Sequence, residues 1–269
     1  MSQHYFKVLR GYEATGAEEE TKILPSSEWG IRNPIRPCGG VVHIMFPLHD
    51  DNPTRDASVV VYALIVLNVV IFFYQSSLSN FELAVWLNNW AVIPKQLTTQ
   101  FSREFFTVIS SQFLHANLIH LISNMWFLYL FGNNVEDRLG SWLFLPFYLA
   151  CGAVAVFAQV AFAPNSEVPM VGASGAIAGV MGAYIVQFPR AKILTLVFLG
   201  FFFTFVQIPA AVFLGFWIFG QTVYAALANP NQPGVAYLAH VGGFVAGMIL
   251  LAFLPTRDEY IADRDEEDM

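Results

Sequence analysis

Six polar side chains interrupt otherwise apolar stretches of this 269-residue chain: His115, His120, Asn124, Gln159, Ser174 and His240, of which the histidines and the serine can do acid–base or nucleophilic chemistry and the amides can offer hydrogen bonds. A polar group inside a membrane segment costs free energy and needs a partner, so each is a functional candidate by default. Serine is a poor nucleophile unless a base takes its proton, and neutral histidine is the usual base near pH 7. Acyl transfer through Ser174 and His240 would also need donors aimed at the developing oxyanion. The Ser174 backbone N–H, Asn124 and His120 could supply them. Singly, each residue has a plainer role. Ser174 could be a helix-packing serine bonded to its own backbone, His240 a proton- or ion-pathway residue, and Gln159 a partner for water or a carbonyl. His120 and Asn124, at i and i+4, share a helix face. His115 and His120, at i and i+5, would lie about 140° apart round a helix, so a metal pair is not expected and no metal is assigned.

The elements that must position these residues are membrane spans. Only 12% of the chain is charged, against roughly 25% in soluble domains. After Lys192 no charged residue follows until Arg257, several times the ~20 apolar residues that one spanning helix needs. Six spans are expected, at 57–74, 110–131, 142–162, 172–188, 210–227 and 235–254. The connection at 76–109, with Trp86, Trp90, Lys95 and Arg103, is apolar enough to pack at the membrane interface. The stretch 193–206 is short for a crossing and is expected to lie as a non-spanning, membrane-associated segment. Spans two, four and six then run in one direction, with their polar residues in their first halves. Ser174 and His240 share a depth on the outer side.

Small residues explain how two helices could meet there. A Ser–His hydrogen bond of about 2.6–3.2 Å between helices needs close backbones. Ser174, Ala178 and Gly182 form a row at i+4 spacing, and His240, Gly243 and Gly247 offer a matching face. Ala176 stands where the Gly-x-Ser-x-Gly elbow of soluble hydrolases has its last glycine. No Asp or Glu is placed to orient His240, so the expected arrangement is a dyad, not a triad.

The segments "HANLIHLISN", "VEDRLG", "GASGAIAG" and "AHVGGFVAG", in this order and on these spans, resemble the rhomboid intramembrane serine proteases over about residues 57–254. The resemblance implies Ser174 as nucleophile, His240 as base, and His120 and Asn124 with the Ser174 amide as oxyanion hole. It implies mainly structural roles for His115, Glu136 and Arg138. The implied substrates are single-span membrane proteins, cleaved near the outer membrane face after a small residue, with helix-weakening residues below. Some relatives carry an aromatic residue four positions after the serine that supports the histidine ring. Here that position is Ala178, which leaves the support of His240 unassigned. The Trp-Arg pair found in the first loop of some members is absent.

The expected fold class is therefore an all-α polytopic membrane protein with six transmembrane helices in a rhomboid-like bundle. Residues 1–55 read as a poorly ordered cytosolic extension, 56–255 as the membrane protease domain, and 256–269 as an acidic cytosolic tail. Much of the net charge of −7 sits in the two ends. No basic region followed by a short apolar run opens the chain, so no cleavable signal peptide is expected. Cys38, His43 and His49 match no zinc spacing. Lys and Arg are concentrated on one side of the spans, which puts both termini in the cytosol, in a bacterial inner membrane. The expected partners are the bilayer and single-span substrates, with no nucleic acid and no cofactor. Two other functions remain open: a catalytically silent relative that binds membrane clients, and a small transporter. Silent relatives typically lack the serine or the histidine, and a transporter would be expected to carry paired carboxylates in its spans.

Overall fold

The computed structural model describes residues 45–199, 202–229 and 234–257. The rest of the expected extension, with Cys38 and His43, and the tail from 258 lie outside the described residues. Within them the chain forms strand β1 (Met45–Asp50), then helix α1 (Val59–Ser77). The short helices α2 (Asn80–Trp90), α3 (Pro94–Thr99), α4 (Phe101–Glu104) and α5 (Thr107–Ser110) follow. Next come α6 (Leu118–Leu139), α7 (Ser141–Phe162) and α8 (Ser174–Gln187). Strands β2 (Lys192–Leu199) and β3 (Phe202–Pro209) precede α9 (Ala210–Leu227) and α10 (Tyr237–Leu251).

Among the described residues three helices, α1, α7 and α9, are long and apolar enough to cross a membrane. Helices α8 and α10 are apolar but shorter, at 14 and 15 residues. Large apolar side chains stay exposed on α1 (Val66, Val70, Phe73) and α9 (Val212, Phe216, Phe219). Such a surface is solvated by hydrocarbon, not water, which marks an integral membrane protein.

The fold departs from all-α. The stretch expected as a non-spanning segment is a β-hairpin, with Lys192 opposite Pro209 and Leu199 opposite Phe202. Its run of Ile, Leu, Val, Thr and Phe suits a pleated ladder, and a strand pair satisfies its backbone groups where a lone extended segment would not. β1 adds antiparallel to β2, from Met45 opposite Val197 to Asp50 opposite Ile193. Part of the stretch expected to be poorly ordered is thus a strand. It is anchored along α6, where Trp126 Nε1 donates to the Pro47 carbonyl (2.8 Å) and Asn134 Nδ2 to the Asn52 carbonyl (2.7 Å). Tyr184 Oη donates to the Asp50 carboxylate at 2.5 Å, tying β1 to α8.

The second span, expected at 110–131, begins later. Residues 101–113 form short helical turns, and α6 starts only after Asn117, whose side-chain oxygen accepts the His120 N–H at 2.9 Å. That cap satisfies an otherwise orphaned donor of the first turn. At its other end α6 stops at Gly140, where φ is +76°. There the Glu136 carboxylate accepts the N–H groups of Val60 and Val61 (2.9 and 2.8 Å) and the Ser141 hydroxyl (2.6 Å). One carboxylate thereby caps the start of α1 and holds it against α6.

Helix α8 is buried along nearly its whole length. Its contact with α10 depends on glycine. A methyl group built at Gly243 would fall on the Gly175 carbonyl, one at Gly247 on the Gly179 carbonyl, and one at Gly182 on the Phe244 carbonyl. The row on α8 that meets α10 is therefore Gly175, Gly179 and Gly182, not the expected Ser174, Ala178 and Gly182.

Candidate active site

Ser174 is the first residue of α8, and its N-terminal position leaves first-turn N–H groups without intrahelical partners. His240 lies in the first turn of α10. The glycine contact brings these two helix starts together: Ser174 Oγ and His240 Nε2 are 2.8 Å apart. The other ring nitrogen, Nδ1, is 2.7 Å from Gln221 Oε1 on α9. An amide oxygen only accepts, so Nδ1 carries the proton and Nε2 presents its lone pair to the Ser174 hydroxyl. Trp217, one turn before Gln221, lies beside the imidazole with ring centroids 5.8 Å apart at 31°.

Two residues before the serine in sequence, Gly172 packs its backbone against the His120 ring. A methyl group at Gly172 would sit 2.8 Å from His120 Nε2 and 3.6 Å from Asn124 Nδ2. Gly172 also has φ of +128°, a conformation that side-chain-bearing residues rarely adopt. Both facts call for glycine two residues before the serine. Asn124 Nδ2 lies 3.0 Å from His115 Nε2, and the His115 N–H donates to Gln75 Oε1 at 3.2 Å. The Asn124 amide is thereby tied to His115, whose backbone N–H is in turn fixed by Gln75.

The separation expected of His115 and His120 does not hold, since their rings meet edge to face with centroids 5.2 Å apart. His115 precedes the start of α6, so helical spacing does not govern it. Gln159 joins none of these residues, and its Oε1 has no partner among the described residues. Glu136 and Arg138 lie at the opposite end of α6, about 24 and 27 Å along the helix from His120 by rise per residue. Cavities of about 100 and 140 Å³ open at that far end around Asp137 and Arg257, away from the serine.

Gln221, Trp217, Gly172 and Gln75 are not among the candidate residues that the sequence alone offers. Gln221 had the same signal as Gln159, an amide in an apolar span, and that rule applied evenly would have selected it. Gly172 carries no chemistry in its side chain, and only the backbone shows why it must be small.

The sequence profile of the Rhomboid domain matches residues 102–257. The chain belongs to the rhomboid family. It is 28% identical over 204 residues to Rhomboid protein 1, mitochondrial, of Saccharomyces cerevisiae, covering 70% of this chain and 51% of that protein. RHOMBOID-like protein 12, mitochondrial, of Arabidopsis thaliana is 29% identical over 72% of this chain and 57% of its own length. Rhomboid protease GluP of Bacillus subtilis is 32% identical over 56% of this chain and 26% of its own length. The chain thus spans about half the length of the first two and about a quarter of the third. The family includes intramembrane serine proteases. Mitochondrial names stand beside a bacterial one among these rhomboid relatives, so kinship does not choose the membrane.

Proposed function

We propose that this rhomboid-family protein is an intramembrane serine endopeptidase working through Ser174 and His240. The observation that carries the reading is the 2.8 Å contact between Ser174 Oγ and His240 Nε2 across two apolar helices. In the first step Oγ attacks the carbonyl carbon of the scissile peptide bond while His240 Nε2 takes the hydroxyl proton. The tetrahedral intermediate's oxyanion is received by the Ser174 N–H, the Asn124 amide and the His120 ring. His240 then returns its proton to the departing amine, leaving an acyl-serine. Water, deprotonated by the same Nε2, hydrolyses the ester and restores Ser174.

The substrates proposed are single-span membrane proteins, cut near the outer membrane face, since the dyad lies at the starts of α8 and α10. The proposed location is a bacterial inner membrane crossed six times, and the distribution of Lys and Arg supports placing both termini on its cytosolic side. A protein with 193–206 folded back as a hairpin has one crossing, α9, between α8 and α10. That arrangement runs α8 and α10 in the same direction, as a shared depth for Ser174 and His240 requires. The retained dyad argues against a silent client-binding role.

Cleavage of a single-span substrate in liposomes tests the reading. Ser174→Ala and His240→Ala should each abolish turnover while the proteins insert and purify normally. Turnover by Ser174→Ala at the wild-type rate would overturn it.

A further inference from the structure

A buried amide on an apolar helix needs a reason, because its desolvation is costly unless its polar atoms are bonded. Gln221 is 6% exposed, and its oxygen faces His240 Nδ1 at 2.7 Å. Trp217 and Gln221 lie at i and i+4, so one face of α9 presents both an indole beside the imidazole and an acceptor at its Nδ1. Position 178, which the resemblance to the rhomboid family marks as aromatic in some relatives, holds a fully buried alanine here. The support therefore comes from α9.

We propose that Gln221 is the third member of the catalytic arrangement, a positioning residue that fixes the tautomer and tilt of His240. The inference rests on the protease reading and adds a member to it. Accepting the hydrogen bond from Nδ1–H keeps the proton on Nδ1 and turns the Nε2 lone pair toward Ser174. When Nε2 takes the serine proton, the Nδ1–H···O bond becomes charge-assisted and strengthens, so it favours the transition state over the ground state. Gln221 touches neither substrate nor the reacting atoms, and its effect falls on the chemical step.

Gln221→Met keeps the length and removes the acceptor, while Gln221→Glu keeps an acceptor oxygen. With the wild type and both variants in liposomes, kcat of Gln221→Met should fall ~10- to 100-fold with KM unchanged, the range for one hydrogen bond to a charged group. The rate of Ser174 labelling by a fluorophosphonate should fall in parallel, and Gln221→Glu should recover most of both rates. Equal kcat in wild type and Gln221→Met would overturn the inference while leaving the dyad intact. A wild type that neither cleaves substrate nor takes the label would bring down both readings. Nitrogen-15 spectroscopy of histidine-labelled wild-type protein decides without any variant. Protonated Nδ1 and bare Nε2 at His240 are expected, and the opposite tautomer would overturn the proposal.

Discussion

At His240 the two ring nitrogens face different partners, a hydroxyl that must be activated and an amide that cannot donate through its oxygen. On the proposed reading, that asymmetry makes His240 the base and Ser174 its nucleophile. Opposite them, the donors depend on close fit. Gly172→Ala would push a methyl group against the His120 ring and strain a φ of +128°, so kcat should fall about tenfold or more at unchanged expression. His120→Ala and Asn124→Ala should each slow the chemical step roughly ten- to a thousandfold, with a smaller effect on KM. Single-turnover cleavage measures this, and a change in KM alone would assign these residues to substrate docking. Ser174, His240, His120 and Asn124 stand out in the sequence as candidates because polar atoms interrupt apolar helices there. Their supports do not. Gln75 and Gln221 act through hydrogen bonds to residues 40 and 19 positions away, a relation that no local pattern records.

Among the elements, α8 and α10 approach closely enough to put the carbonyls of one where side chains of the other would be. Gly247→Val would drive a branched side chain into the Gly179 carbonyl, and Gly243→Val into that of Gly175. Either should remove activity and lower thermal stability together, by a few kcal/mol at most where the helices can splay. A fully active, fully stable Gly247→Val protein would contradict this packing. The small-residue stripe was legible in the sequence, whereas its phase was off by one residue on α8, because rows one position apart are equally small there. The hairpin was harder to read. An unbroken apolar run such as 193–206 has no alternation to separate strand from helix, and only its length argued against a crossing. With single cysteines in a protein lacking Cys38 and Cys151, Asn165 and Asn231 positions should react with an impermeant maleimide from outside. Those at Arg190 and Gln207 should react only after permeabilisation, and labelling of Gln207 from outside would show that the segment crosses.

Across the whole molecule, the sheet and the helical bundle are joined through Asp50. Burial raises its carboxyl above the ordinary carboxylate range, against the opposing effect of the Tyr184 hydrogen bond. The folded state therefore holds this proton more tightly than the unfolded chain. The stability from that difference is complete at low pH and is lost as pH rises through the folded pKa. Asp50→Asn keeps an acceptor for Tyr184 and removes the ionisation, so its melting temperature should vary less with pH above 4 than that of wild type. Parallel melting profiles would contradict the assignment. Tyr184→Phe should destabilise by about 1–3 kcal/mol, the penalty for leaving a buried acceptor without its donor. The family and the membrane class followed from composition and four short motifs, but the join between sheet and bundle did not. Its residues lie 134 positions apart and carry no shared periodicity. The most direct test of the whole reading is fluorophosphonate labelling of the protein in a bilayer, mapped by mass spectrometry against residual cleavage. One adduct is expected, on Ser174, absent from His240→Ala, with cleavage falling in proportion to the labelled fraction. Full cleavage by fully labelled protein, or an adduct elsewhere with Ser174 unmodified, would contradict it.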